Sequence, residues 1–159
     1  MGDTAKNVTG GCLCGRVRYE AQVFLKSGNY CHCRICQKSS GQPAEIAMPI
    51  KAGSLVFTKS KPKYYSSSEH GKRGFCEECG SRLVWQASDP NNDWLTNVTV
   101  GSLDDSAEAR PSNHTFVDKQ LPWYEIDDRL PKFREADLEA MLDFWKQERM
   151  WLSCIRVLR

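Results

Sequence analysis

Seven of the eight cysteines of this chain stand in three close-set groups: Cys12-Leu13-Cys14, Cys31-His32-Cys33-Arg34-Ile35-Cys36 and Cys76-Glu77-Glu78-Cys79. Thiolates this near to one another in sequence can converge on a metal ion. Zinc gives the count a meaning, because a structural zinc is closed by four ligands, whereas a catalytic one keeps three and leaves a position for water or substrate. Four plus three reads as one closed site and one open site. A Cys-x-Cys pair cannot surround an ion alone, so Cys12 and Cys14 need a second pair, which the Cys76–Cys79 turn before Gly80 supplies. These four are expected to hold a structural zinc worth about 10 kcal/mol of folding free energy. Cys31, Cys33 and Cys36 are expected to hold a catalytic zinc, with Cys154, His32, His70 or His114 as alternative closing ligands.

Disulfides compete for the same residues, but a Cys-x-Cys ring is strained, and such clusters read more naturally as reduced ligands in a cytoplasmic compartment. Iron–sulfur ligation also uses thiolates, and its local four-cysteine spacing is not matched. Three thiolates on Zn²⁺ leave a net charge of about −1, a poor setting for making hydroxide. Such a site suits a soft incoming sulfur, or a carbonyl oxygen beside a proton donor. His32 is the nearest titratable group and is expected to act as the catalytic acid or base, with His114 a second candidate. An anionic thiol would want cations at the mouth; Arg34 inside the ligand loop is the expected one, with Lys38, Lys72 and Arg73 nearby in sequence. Trp85, Trp94, Trp123, Tyr64 and Tyr65 read as core or wall residues.

The elements that position these groups look short and extended. Val17, Tyr19, Ala21 and Val23 alternate as in a half-buried strand, and similar strands are expected at 44–48, 55–58, 63–66, 73–75, 82–86, 95–100 and 114–117, between Gly, Pro, Ser and Asn punctuation. Helix is expected clearly only over 134–152, where Leu138, Met141, Leu142, Trp145 and Leu152 recur at three- and four-residue steps after Pro131. That helix packs on its own domain or, through Phe144 and Trp151, on a second copy as a homodimer. At 159 residues one domain is expected, with residues 1–133 as the zinc-binding unit and 134–159 as its helical extension. Charges nearly cancel, 22 basic against 20 acidic, so no field for nucleic-acid binding is present. No apolar run reaches the roughly 20 residues that span a bilayer, so a soluble chain with no membrane partner is expected. Cys154 reads as a spare thiol.

Gly10-Gly11-Cys12-Leu13-Cys14-Gly15, Cys31-His32-Cys33-Arg34-Ile35-Cys36, Arg73-Gly74-Phe75-Cys76-Glu77-Glu78-Cys79-Gly80-Ser81 and Pro122-Trp123 together resemble the glutathione-dependent formaldehyde-activating enzyme family, which includes centromere protein V. The likeness runs over 9–133. It implies a β-tent, mainly antiparallel sheets around a structural zinc at Cys12, Cys14, Cys76 and Cys79, with Cys31, Cys33 and Cys36 matching the catalytic zinc ligands. It implies a carbon–sulfur lyase that joins glutathione and formaldehyde into S-hydroxymethylglutathione. Two other readings stay open: a zinc-stabilised binding module for protein or chromatin, and a zinc-dependent hydrolase of imine C–N bonds. The absence of a basic tail counts against the first of these.

Overall fold

The computed structural model describes residues 4–150. Eleven strands and two α-helices follow in the order β1 (Lys6–Gly11), β2 (Arg18–Val23), β3 (Gly28–Cys31), α1 (Arg34–Ser40), β4 (Glu45–Pro49), β5 (Val56–Phe57), β6 (Lys63–Ser68), β7 (Gly71–Phe75), β8 (Arg82–Ala87), β9 (Asn97–Thr99), β10 (Pro111–Thr115), β11 (Lys132–Phe133) and α2 (Leu138–Met150). Three strands pair as β1-β2-β5, and eight as β11-β10-β3-β4-β9-β8-β7-β6. The chain is mainly β, as the punctuation of its sequence implies.

The alternation read in β2 is real. Tyr19, Ala21 and Val23 are buried, and with Val17 and Leu25 they meet Ile50 and, from the larger sheet, Met48, Leu83, Val84 and Val98 in one core. Burial of this kind contributes about 1.5–3 kcal/mol per large side chain. Cys12 and Cys76 belong to the same cluster, so the first cysteine group is built into the place where the two sheets meet.

Three differences from the sequence reading carry structural meaning. The large sheet is mainly antiparallel, as expected, and departs from that pattern at β10, which runs parallel to both β3 and β11. Residues 34–40 form α1 instead of loop; its N-cap is Cys33, whose sulfur accepts the Cys36 amide, a cap outside the usual Ser, Thr, Asp and Asn set. Trp123 and Tyr65 are 68% and 66% exposed, so neither is a core or wall residue. α2 begins at Leu138 after a short 3₁₀ turn over Glu135–Asp137. It buries Met141, sets Phe144 against Phe133 at 5.4 Å between ring centroids, and donates from Trp145 Nε1 to Asn113 Oδ1 at 3.4 Å. Those contacts are with its own chain. Trp151, Leu152 and Cys154 lie outside the described residues.

Candidate metal centres and the residues around them

The two pairs expected to share an ion do meet. The sulfur atoms of Cys12, Cys14, Cys76 and Cys79 all lie within 4.8 Å of one another, Cys12 and Cys14 at 3.5 Å and Cys14 and Cys76 at 3.8 Å. Ligands at the 2.3 Å Zn–S bond length sit about 3.8 Å apart along a tetrahedron's edge, so the four fit a closed thiolate cage. Each half is a tight turn. Gly15 N–H donates to the Cys12 carbonyl at 3.0 Å and Gly80 N–H to that of Cys76 at 2.8 Å. Gly15 and Gly80 take φ of 72° and 73°, where a side chain would be strained. Val17 N–H donates to the Cys12 sulfur at 3.2 Å. Ser81 Oγ accepts the Leu13 amide and lies 3.2 Å from Cys79 Sγ, which draws the Cys79 thiol down to about 5.

The second group is held differently. Cys31 ends β3, Cys33 caps α1 and Cys36 lies one turn into it, so strand end, cap and helix bring three sulfurs within 4.8 Å of one another. Among the described residues no fourth Cys, His, Asp or Glu atom joins them. His70 is exposed beside Glu69, and His32 and His114 bond each other, so none of these closes the set. Cys31 and Cys36 are buried and Cys33 half-buried. Hydrogen bonds from Cys31 and Cys36 draw the Cys33 thiol down to about 2, while the same crowding holds Cys31 up at about 12 and pushes Cys36 far up. Three thiolates this close repel, and they ionise together only around a cation.

The surroundings supply part of that charge. Arg73, 5% exposed, donates from Nη2 to Cys36 Sγ at 3.3 Å and from Nη1 to Ser67 Oγ. Beside it, buried Glu45 accepts from Arg82 Nη2 at 2.7 Å and cancels that charge. One guanidinium thus offsets one of three thiolates, and a divalent ion would neutralise the remaining two. Both clusters fit metal ions. A cleft of about 630 Å³ runs from Cys12 and Ser81 past Arg82 and Glu45 to Ser39 and Ser40, against the supports of the trio rather than its sulfurs.

His32 is fully buried. Its amide donates to the Thr115 carbonyl at 3.0 Å, and its Nε2 lies 2.9 Å from His114 Nδ1, whose Nε2 lies 2.8 Å from Asp128 Oδ2. Burial, then the neighbouring His114, push the His32 imidazole down to about 4. Tyr30 stacks on His114 at 4.6 Å and Tyr124 tilts against His32 at 5.9 Å. Arg34 stays exposed; its guanidinium bonds Gln37 Oε1, and Gln37 Nε2 in turn donates to the carbonyls of His32 at 2.7 Å and Lys119 at 3.0 Å. Sequence reasoning missed Asp128, Gln37 and Glu45. Gln37 directly follows Cys36 but is of a type that signals no role, Glu45 stands apart from the motifs, and Asp128 reaches the site through His114 of β10.

A mainly β chain carrying one four-cysteine and one three-cysteine cluster, each able to hold a metal ion, defines the class. The chain belongs to the glutathione-dependent formaldehyde-activating enzyme family, whose model matches residues 7–119. An uncharacterized lyase of Schizosaccharomyces pombe is 27% identical over 89 residues, which cover 56% of this chain and 64% of that protein, so the match spans less than two thirds of the relative. A crystal structure of a Rhodobacter sphaeroides protein aligns with a TM-score of 0.46 at 21% identity, over 60% of this chain and 87% of that one.

Proposed function

We propose that the protein is a zinc-dependent carbon–sulfur lyase of the S-hydroxymethylglutathione synthase type, with one zinc in each cysteine cluster. The observation that carries this reading is the three-sulfur cluster with half-buried Cys33 at its edge and no fourth protein ligand among the described residues. Family membership and a relative named as a lyase support it.

Cys12, Cys14, Cys76 and Cys79 would hold the structural ion, and Cys31, Cys33 and Cys36 the catalytic one. A zinc bound by three thiolates supplies Lewis acidity toward a soft sulfur or a carbonyl oxygen. In the reaction the glutathione sulfur forms a bond to the formaldehyde carbon, the C=O double bond becomes a C–O single bond, and the thiol proton finishes on the hydroxyl oxygen. No electrons are exchanged with a third species. His32, between Cys31 and Cys33 in sequence, would take and return that proton. Arg73 offsets the surplus negative charge of the thiolates. Arg34 and Lys38, exposed on α1, offer positive charge to the carboxylates of an approaching tripeptide.

The experiment is metal analysis with turnover. Cys33→Ser should lose one of two zinc ions and all S-hydroxymethylglutathione formation while keeping the β circular-dichroism spectrum. Full metal content and full turnover in Cys33→Ser would end the proposal.

A further inference from the structure

His32 ends a hydrogen-bonded chain that begins at the surface. Asp128 is 42% exposed, His114 is 2% exposed and His32 is fully buried, and two contacts of 2.8 and 2.9 Å join them. The chain has a direction. A carboxylate only accepts, and Asp128 is held below the usual aspartate range, where desolvation is outweighed by hydrogen bonds from His114 and the Leu130 amide. His114 must therefore place its proton on Nε2, which leaves its Nδ1 bare, and the proton between the rings then belongs to His32 Nε2. With one proton on each ring, only this order satisfies both contacts.

The geometry points to Asp128 and His114 as positioning residues that fix His32 in its Nε2–H tautomer and leave Nδ1 an unprotonated acceptor on the ring edge away from His114. That nitrogen is buried and finds no hydrogen-bond partner in the protein. A buried acceptor left unmatched costs stability, so its orientation is imposed by the chain of contacts behind it rather than gained by its own. The hydrogen bond made by one ring nitrogen sets which form the other takes, and here that rule acts twice, from Asp128 to His114 and from His114 to His32. The inference rests on the proposed reaction for its purpose but not for its test.

The chain has three histidines, so nitrogen-15 imidazole spectra of the full-length, zinc-loaded protein are readable, and His70→Gln removes the exposed one. His32 should show a pyridine-type Nδ1 and a pyrrole-type Nε2. Asp128→Leu removes the acceptor, and Asp128→Asn, of the same shape, can donate as well as accept; both should give mixed or reversed tautomers at His32, with both zinc ions retained. Asp128→Glu should restore the wild-type pattern. S-hydroxymethylglutathione formation should fall about 10–100-fold in Asp128→Leu and recover in Asp128→Glu. A protonated Nδ1 in the wild-type protein, or an unchanged tautomer in both Asp128→Leu and Asp128→Asn, overturns the inference. A protein inactive toward glutathione and formaldehyde but with the expected spectra would instead overturn only the assigned reaction.

Discussion

The Arg73 guanidinium donates to the Cys36 sulfur at 3.3 Å from a strand 37 residues further along the chain, and it is itself buried. A zinc held by these three thiolates would carry a surplus negative charge, and a buried charge needs a partner. Arg73 would be that partner, and Ser67 holds its guanidinium in place.

Replacing Arg73 with Met should weaken metal binding at the three-cysteine cluster by about 10–100-fold, in line with the loss of an outer partner at metal sites. Arg73→Lys should lie between, since one ammonium lacks the fork that reaches both Ser67 and Cys36. Chelator titration should release one zinc early in these variants and the other at the wild-type concentration; simultaneous release of both would contradict this assignment.

Cys76 is 1% exposed within the core cluster, so its sulfur would serve ion and core together. Cys76→Ser should forfeit on the order of 10 kcal/mol of metal-coupled folding free energy, comparable with the whole stability of a domain, about 5–15 kcal/mol. The variant should show no cooperative thermal transition, and so should the wild-type chain stripped by a strong chelator.

Gly10 packs where no side chain fits. A Cβ there would lie 2.4 Å from the Tyr19 ring and 2.5 Å from the Ser102 carbonyl oxygen, and the Tyr19 hydroxyl is bonded to Ser102 Oγ at 2.7 Å. Gly10→Ala should cost about 1–3 kcal/mol by overpacking. Urea unfolding measures it, and a loss under half a kcal/mol would show that Tyr19 can yield.

Asp104 is drawn below its ordinary value of 3.8 by hydrogen bonds from Arg18 and Thr9. A depressed carboxylate contributes stability that is present above its unfolded pKa and disappears as pH falls through the folded one. Asp104 is 40% exposed, so screening limits the effect, and Asp104→Asn should cost under about 1 kcal/mol at pH 7. The gap between the two proteins should close on acidification below the folded pKa of Asp104; a gap that widens instead would rule out the ion pair as its source.

Much of this arrangement was legible in the sequence because metal ligation is local. The pairs around Gly15 and Gly80 and the trio at 31–36 announce themselves by spacing, and the structure brings the same seven sulfurs together as four and three. The alternation of β2 was equally plain. What the sequence hid was non-local or atypical. A sulfur-capped helix of seven residues lacks the usual start signal, and β3, only Gly28–Cys31, is too short to show a period. Arg34 looks central because it lies between ligands, yet its guanidinium bonds Gln37, whereas Arg73, distant in sequence, touches a sulfur. Trp123 looked like core by residue type alone, and lies in solvent.

The parallel seat of β10 beside β3 also sets an order of events. His32 is shielded by a residue made 82 positions later, so a growing polypeptide displays Cys31, Cys33 and Cys36 on an unpaired edge well before their neighbour emerges. Unliganded thiols in that interval would be open to oxidants, and early capture of an ion would shield them.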